Sequence, residues 1–138
     1  MQHEKQINFK YSNSLVIILA QVKGRNNRNQ TVRCAVDTAC GMTTIRTDII
    51  DSLGYSFRDA EKITNVISPS GEEQGYLIKI GAFSFDKYLF KDMPVDVFDL
   101  PENLGIDCLI GNDILSRYMV TIDYRNEKLG LGEYNNIC

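Results

Sequence analysis

The sequence predicts an all-β, barrel-like chain with one or two short helices, and three observations lead there. The longest uninterrupted apolar run, residues 15–20, is β-branched at three positions, which suits a strand. It falls far short of the roughly 20 apolar residues a membrane helix needs. Short alternating segments recur between clusters of Gly, Pro, Asn, Ser and Asp, the punctuation of hairpins. Helix start and stop signals occur at only two places, and both stretches are brief. Many short strands joined by polar turns are the pattern of a barrel.

In chain order, residues 7–11 read as a short strand and Leu15–Lys23 as a longer one. Gly24, Arg25, Asn26, Asn27, Arg28 and Asn29 then form a turn rich in residues that tolerate positive φ. Residues 31–36 return as a strand, with Val32, Cys34 and Val36 on one face and Thr31, Arg33 and Ala35 on the other. They run into Asp37, Thr38, Ala39, Cys40 and Gly41, small residues that end the strand. Thr47 is expected to cap a helix over 48–53 that Gly54 stops. Residues 63–67 and 76–80 flank Ser68, Pro69, Ser70 and Gly71 as a hairpin with a polar tip. Strands are expected at 83–90 and 95–98, then a helical turn at 101–104. Residues 108–110 form a short buried strand ending at Gly111. Asn112 is expected to cap a helix over 113–117, with Ile114 and Leu115 facing inward; Leu109, Ile110 and Leu115 are core positions. Residues 119–124 and 128–131 close the chain as a hairpin through Arg125, Asn126 and Glu127. With no internal repeat and no linker, residues 1–138 read as a single domain with its core over about 7–132.

A chain of 138 residues buries roughly two-thirds of its unfolded surface and needs no metal or disulfide to hold together. The net charge of −3, with basic residues scattered apart from Lys23, Arg25 and Arg28, excludes a nucleic-acid partner. The N-terminus has no apolar segment of the secretory type, and no membrane partner is expected. Of the cysteines Cys34, Cys40, Cys108 and Cys138, no two form a Cys-x-x-Cys pair, and His3 is the single histidine. No metal site and no cofactor are therefore expected. The thiols read as reduced and mostly buried, which points to a cytoplasmic protein.

On the residues alone, Asp37 has two readings. It is a carboxylate delivered from a buried strand onto a tight loop, or an Asx residue that shapes its own turn. The Ser68 to Gly71 hairpin is a mobile cover or an ordinary surface turn. Cys40 is a packing residue or a thiol that makes a neighbouring site redox-sensitive. Asp123 faces solvent or anchors a neighbouring strand, and no catalysis is assigned to it.

Taken in order, Ala35, Val36, Asp37, Thr38, Ala39 and Cys40, the hairpin over 63–80, and Leu109, Ile110, Gly111, Asn112, Asp113, Ile114 and Leu115 followed by Ile122, Asp123 and Tyr124 resemble the retropepsin-like aspartic peptidases. That family carries two apolar residues, Asp, Thr or Ser, Gly, and Ala or Ser, then a flap hairpin, two more apolar residues, a Gly and a short helix. The resemblance covers roughly residues 15–131. It implies a closed, flattened β-barrel of the acid-protease type and an aspartic endopeptidase acting on protein or peptide substrates. It also implies Asp37 as the catalytic carboxylate, Thr38 bonded across a two-fold axis and Ala39 completing the loop. Cys40, Gly41, Ser68, Pro69, Ser70 and Gly71 would contact substrate, and Gly111 would let the short helix pack close behind the loop.

The chemistry needs two carboxylates about 3 Å apart sharing one proton. One takes a proton from water and the other bonds the carbonyl oxygen as charge develops there. The chain has no second matching loop, because Asp51 and Ser52 fall in a predicted helix. The second carboxylate is then expected from Asp37 of another copy, in a homodimer. Three positions depart from the pattern. Ala39 replaces glycine, and its Cβ is expected to crowd the backbone or limit its conformation. Cys40 replaces a smaller residue, and Gly41 and Met42 replace acidic residues that bind substrate backbone. By family analogy the residues around the cut are apolar. The rival expectations are a peptide-binding relative without turnover, favoured by Ala39, and an interaction module in which Asp37 is structural.

Overall fold

The computed structural model describes residues 4–68 and 71–134; Pro69, Ser70 and Cys138 lie outside the described residues. The strands are β1 (Glu4–Asn8), β2 (Lys10–Ser12), β3 (Leu15–Lys23), β4 (Asn29–Val36), β5 (Thr44–Arg46), β6 (Lys62–Ser68), β7 (Gly71–Phe85), β8 (Tyr88–Phe98), β9 (Cys108–Ile110), β10 (Tyr118–Asp123) and β11 (Lys128–Glu133). Two short helices, α1 (Thr47–Ser52) and α2 (Asn112–Leu115), follow β5 and β9. No helix among the described residues is long and apolar enough to cross a membrane.

Alternation builds the strands as expected. Along β3, Val16, Ile18, Ala20 and Val22 are buried on one face while Leu19, Gln21 and Lys23 are exposed. The turn after β3 places Asn26 and Asn27 at positive φ. Two expected strands divide. Residues 7–11 break at Phe9, which is buried in the main core, so that β1 pairs with β11 and β2 with β3. Residues 83–90 reverse at Asp86 (φ 51) and Lys87, with Phe85 opposite Tyr88. Aromatic residues on both flanks mask a two-residue turn in the sequence. Thr47 is the first residue of α1 rather than its cap, which is Arg46 with no capping side-chain bond.

The strands form two sheets. A three-stranded sheet runs β1-β11-β10, and an eight-stranded sheet runs β2-β3-β4-β9-β5-β8-β7-β6. The expected closed, flattened barrel is not what forms. The larger sheet is mixed, because β4 pairs with β9 and β5 with β8 in parallel while the other ladders are antiparallel. A three-pair ladder of Gln21, Val22 and Lys23 with Ser84, Phe83 and Ala82 folds β3 onto β7. It leaves β2 and β6 as free ends of the strand order, so the sheet curls without closing into a barrel. Closure demands one continuous stagger around every strand. Here β1, β10 and β11 form a sheet of their own instead.

The main core lies between the sheets and α1 and α2, with Ile45, Ile50, Phe83, Ile110, Ile114 and Leu131 almost fully buried. Burying each such side chain contributes roughly 1.5–3 kcal/mol. Ile114 and Leu115 face inward as expected. A second, smaller cluster of Ile17, Ala35 and Ile106 sits on the other face of β3 and β4, and Leu109 packs there half-buried rather than in the main core.

Candidate active site

β4 and β5 are consecutive strands but not neighbours, because β9 lies between them, parallel to β4 and antiparallel to β5. The loop over residues 37–43 must therefore bridge the end of β9. It begins as a continuation of the ladder, with Asp37 N donating to Ile110 O at 2.9 Å. The chain then turns tightly: Ala39 N donates to Asp37 Oδ1 at 2.9 Å and Cys40 N to Asp37 O at 3.2 Å. The Asx reading of Asp37 and the display of its carboxyl are thus one geometry, since one oxygen shapes the turn while the group remains half-buried at the loop's surface. Thr38, Ala39 and Gly41 are exposed, and Cys40 is half-buried.

The start of α2 holds the rest of the loop. Asn112 N donates to Cys40 O at 2.8 Å, Asp113 N to Gly41 O at 3.1 Å, and Asn112 Nδ2 to Thr38 O at 2.7 Å. The first N–H groups of a helix lack partners inside it, and here the loop carbonyls supply them. The expected cap at Asn112 is therefore displaced: Gly111 occupies the cap position, and Asn112 is the first helical residue. A Cβ on Gly111 would stand 2.7 Å from Cys40 O and 2.9 Å from the carbonyl carbon of Met42, so only glycine permits this approach.

Four side chains that the sequence reading missed, those of Asp113, Thr43, Asp107 and Arg46, complete the anchor. Asp113 Oδ1 accepts from Thr43 N at 3.0 Å and Thr43 Oγ1 at 2.8 Å, and Thr43 Oγ1 in turn accepts from Gly111 N at 3.2 Å. Asp107 Oδ2 accepts from Arg33 N at 2.9 Å while its Oδ1 meets Arg46 Nη2 at 3.2 Å, tying β4 to the end of β5. The only sequence signal was an acidic residue on either side of β9.

Ala39 sits at no positive φ, so the backbone here does not call for glycine, and its side chain points to the exposed side of the loop. The Cys40 thiol donates to Met42 O at 3.0 Å. Burial pushes its pKa up; the Thr44 bond opposes this, and the charge of Asp37 adds to the rise. A thiol held protonated in this way is a poor nucleophile and a poor target for oxidation. Asp123 is fully solvent-exposed and bonded to Asn126 N and Nδ2 at 3.1 and 2.8 Å, which makes it a turn residue.

Asp37, Thr38, Ala39, Cys40 and Gly41 thus form one stitched unit. Ser68 and Gly71 belong to another, pairing across the tip of the β6–β7 hairpin. In the strand order β9, β5, β8 and β7 stand between β6 and β4. Pro69 and Ser70, expected at the same tip, are outside the described residues.

A loop presenting one aspartate, clamped by a glycine-led helix behind it, is matched by a known family: the aspartyl protease model covers residues 20–114. The chain belongs to that family. No curated protein matches it in sequence. Among solved structures, a retropepsin-like aspartic protease from Rickettsia conorii superposes with a TM-score of 0.69 at 18% identity, over 96% of this chain and 94% of that one. The retroviral protease-like domain of Ddi1 from Leishmania major gives 0.56 at 16% identity, over 89% and 90%. The fold of this family member is therefore retropepsin-like.

Proposed function

We propose that the chain is an aspartic endopeptidase that works as a homodimer. Asp37 of each copy meets across a two-fold axis, and the two carboxyls share one proton around a water. The observation that carries this reading is the Asp37 loop itself. Its carboxyl is oriented by Ala39 N at 2.9 Å, and its backbone is fixed by Ile110 and α2. A purely structural aspartate would not need a rigid second layer of Gly111, Asp113 and Thr43 behind it. That layer is what a catalytic group held to within a fraction of an ångström requires. The ordinary backbone at Ala39 favours turnover over a binding-only relative, because the departure from glycine introduces no positive-φ strain.

In this mechanism the ionised Asp37 draws a proton from the shared water as it attacks the amide carbon. The protonated Asp37 of the other copy bonds the carbonyl oxygen. Thr38 braces the two loops against one another, and the β6–β7 hairpin with Ser68, Pro69, Ser70 and Gly71 covers an extended substrate whose backbone pairs in strand fashion. Cys40 and Gly41 line the cleft beside the dyad. The test compares wild type with Asp37→Asn on an unstructured protein from mildly acidic to neutral pH. Wild type should cleave with a bell-shaped profile and lose activity per chain on dilution below its dimerisation range, while Asp37→Asn should be inert. Equal cleavage by the two proteins would end the proposal.

A further inference from the structure

The peptide unit between Thr38 and Ala39 is held at both of its polar ends by side chains. Its N–H, that of Ala39, donates to Asp37 Oδ1 at 2.9 Å. Its carbonyl, that of Thr38, accepts from Asn112 Nδ2 at 2.7 Å. A carbonyl oxygen can only accept, so the Asn112 atom facing it must be the amide nitrogen. One line of hydrogen bonds therefore runs from the first residue of α2, through a single peptide plane, to the carboxyl of Asp37.

The neighbouring bonds do not duplicate this one. Asp37 N to Ile110 O and Cys40 N to Asp37 O fix the backbone of Asp37, while Asn112 N to Cys40 O and Asp113 N to Gly41 O fix the chain after Ala39. Among the described residues, Asn112 supplies the bond to the Thr38 carbonyl and no backbone group shares it. A peptide plane turns as a unit about the single bonds that flank it. Thr38 and Ala39 are both exposed, so packing does not stop that rotation. Turning the plane would carry the Ala39 N–H away from Asp37 Oδ1.

The residue type suits this task. Asparagine is a mediocre helix former, and Asn112 is exposed and does not cap α2, which starts from Gly111 without a side-chain bond. Its amide reaches the Thr38 carbonyl as a neutral donor, without setting a charge beside the carboxyl. Donation to a carbonyl also polarises the N–H of the same peptide unit and strengthens the bond that N–H makes. A hydrogen bond to an ionised carboxyl favours the ionised form.

We propose that Asn112 is a positioning residue for Asp37, holding the Thr38–Ala39 peptide so that the Ala39 N–H stays aimed at the carboxylate. This rests on the peptidase reading above, in which one Asp37 of the pair must be ionised to draw the proton from water.

The experiment uses the full chain and two variants. Asn112→Leu removes the amide at similar volume, and Asn112→Gln keeps a donor on a longer arm; both retain the backbone bond from residue 112 to Cys40 O. Cleavage of an unstructured protein is followed against pH. Loss of the donor weakens support for the ionised carboxyl, which then takes up its proton at higher pH. The acid limb of Asn112→Leu should therefore move to higher pH by roughly a few tenths of a unit, while Asn112→Gln keeps it close to wild type. NMR solvent exchange of the Ala39 amide should quicken about two- to tenfold in Asn112→Leu, the scale of one hydrogen bond. The Cys40 amide, bonded to Asp37 O, should keep its rate. A merely structural Asn112 would shift the urea midpoint and leave both the acid limb and the Ala39 rate in place. An unmoved limb or an unchanged Ala39 rate in Asn112→Leu overturns the inference, and so does an equal limb shift in Asn112→Gln. If no Asp37-dependent cleavage occurs, the peptidase reading fails and the amides decide the positioning role separately. Faster Ala39 exchange with an unchanged Cys40 amide upholds it, and unchanged Ala39 exchange rejects it.

Discussion

Replacing Gly111 by alanine perturbs the contact between α2 and the Asp37 loop more directly than any other single change. The new methyl carbon would lie 2.7 Å from Cys40 O, 2.9 Å from Met42 C and 3.1 Å from Met42 N, all of them backbone atoms that cannot rotate away. Restoring an ordinary contact of 3.4 Å requires loop and helix to part by about 0.7 Å. The Asn112 N to Cys40 O bond, now 2.8 Å, would then stretch to about 3.5 Å, where it ceases to count as a hydrogen bond. Overpacking costs about 1–3 kcal/mol and the weakened bond about 1 kcal/mol more, so Gly111→Ala should lose about 2–4 kcal/mol. The measurement is the urea midpoint at fixed slope. Gly41→Ala serves as the control, because nothing lies within 4 Å of a Cβ there, and its stability should change by less than about 1 kcal/mol. Asp37-dependent cleavage by folded Gly111→Ala should drop on the order of 10²-fold, since a displacement of this size misplaces the carboxyl. If Gly111→Ala were as stable and as active as wild type, the idea that a backbone-to-backbone contact sets the loop would be refuted.

Three further outcomes are expected. Asp113→Ala strips the acceptor from Thr43 N and Oγ1 and should cost about 1–3 kcal/mol, whereas Asp113→Asn keeps an oxygen there and should cost less. Denaturation curves that ranked the two in the opposite order would contradict this anchor. Burial raises the Asp96 pKa, with Lys62 partly opposing it. The folded chain therefore holds a proton that the unfolded chain has already released, and stability falls as pH rises through that interval. Asp96→Asn should accordingly be more stable than wild type at neutral pH and lose the advantage below the ordinary carboxylate range, as read from urea midpoints at both ends. Lower stability of Asp96→Asn at neutral pH would count against the buried carboxyl. Cys40, its thiol pushed up first by burial, should alkylate with iodoacetamide at pH 7 more slowly than an unhindered cysteine. Mass spectrometry showing rapid modification would revive a redox role.

The local features of this protein were written in its sequence, and its long-range ones were not. Alternation marked β3 and β4, the Asn-rich turn after β3 was legible, and the small-residue cluster from Asp37 to Gly41 announced a loop at the end of a buried strand. Gly111 after Leu109 and Ile110, through the family resemblance, announced a helix packed close behind the Asp37 loop, though not the atoms that meet there. These signals live in periods of two residues or in single turns, so neighbouring side chains suffice to set them. Which strand lies beside which is a different quantity. β9 enters between β4 and β5 from more than sixty residues further along the chain, and no local pattern in 108–110 specifies that slot. The open order from β2 to β6, the break at Phe9 and the hidden turn at Asp86 followed from where the core and the two sheets competed for the same segments. Asp113 met Thr43, and Asp96 faced Thr64, only once those strands had taken their places. The carboxylate was legible because its own loop makes it conspicuous, whereas the groups that hold it and flank it became neighbours through packing alone.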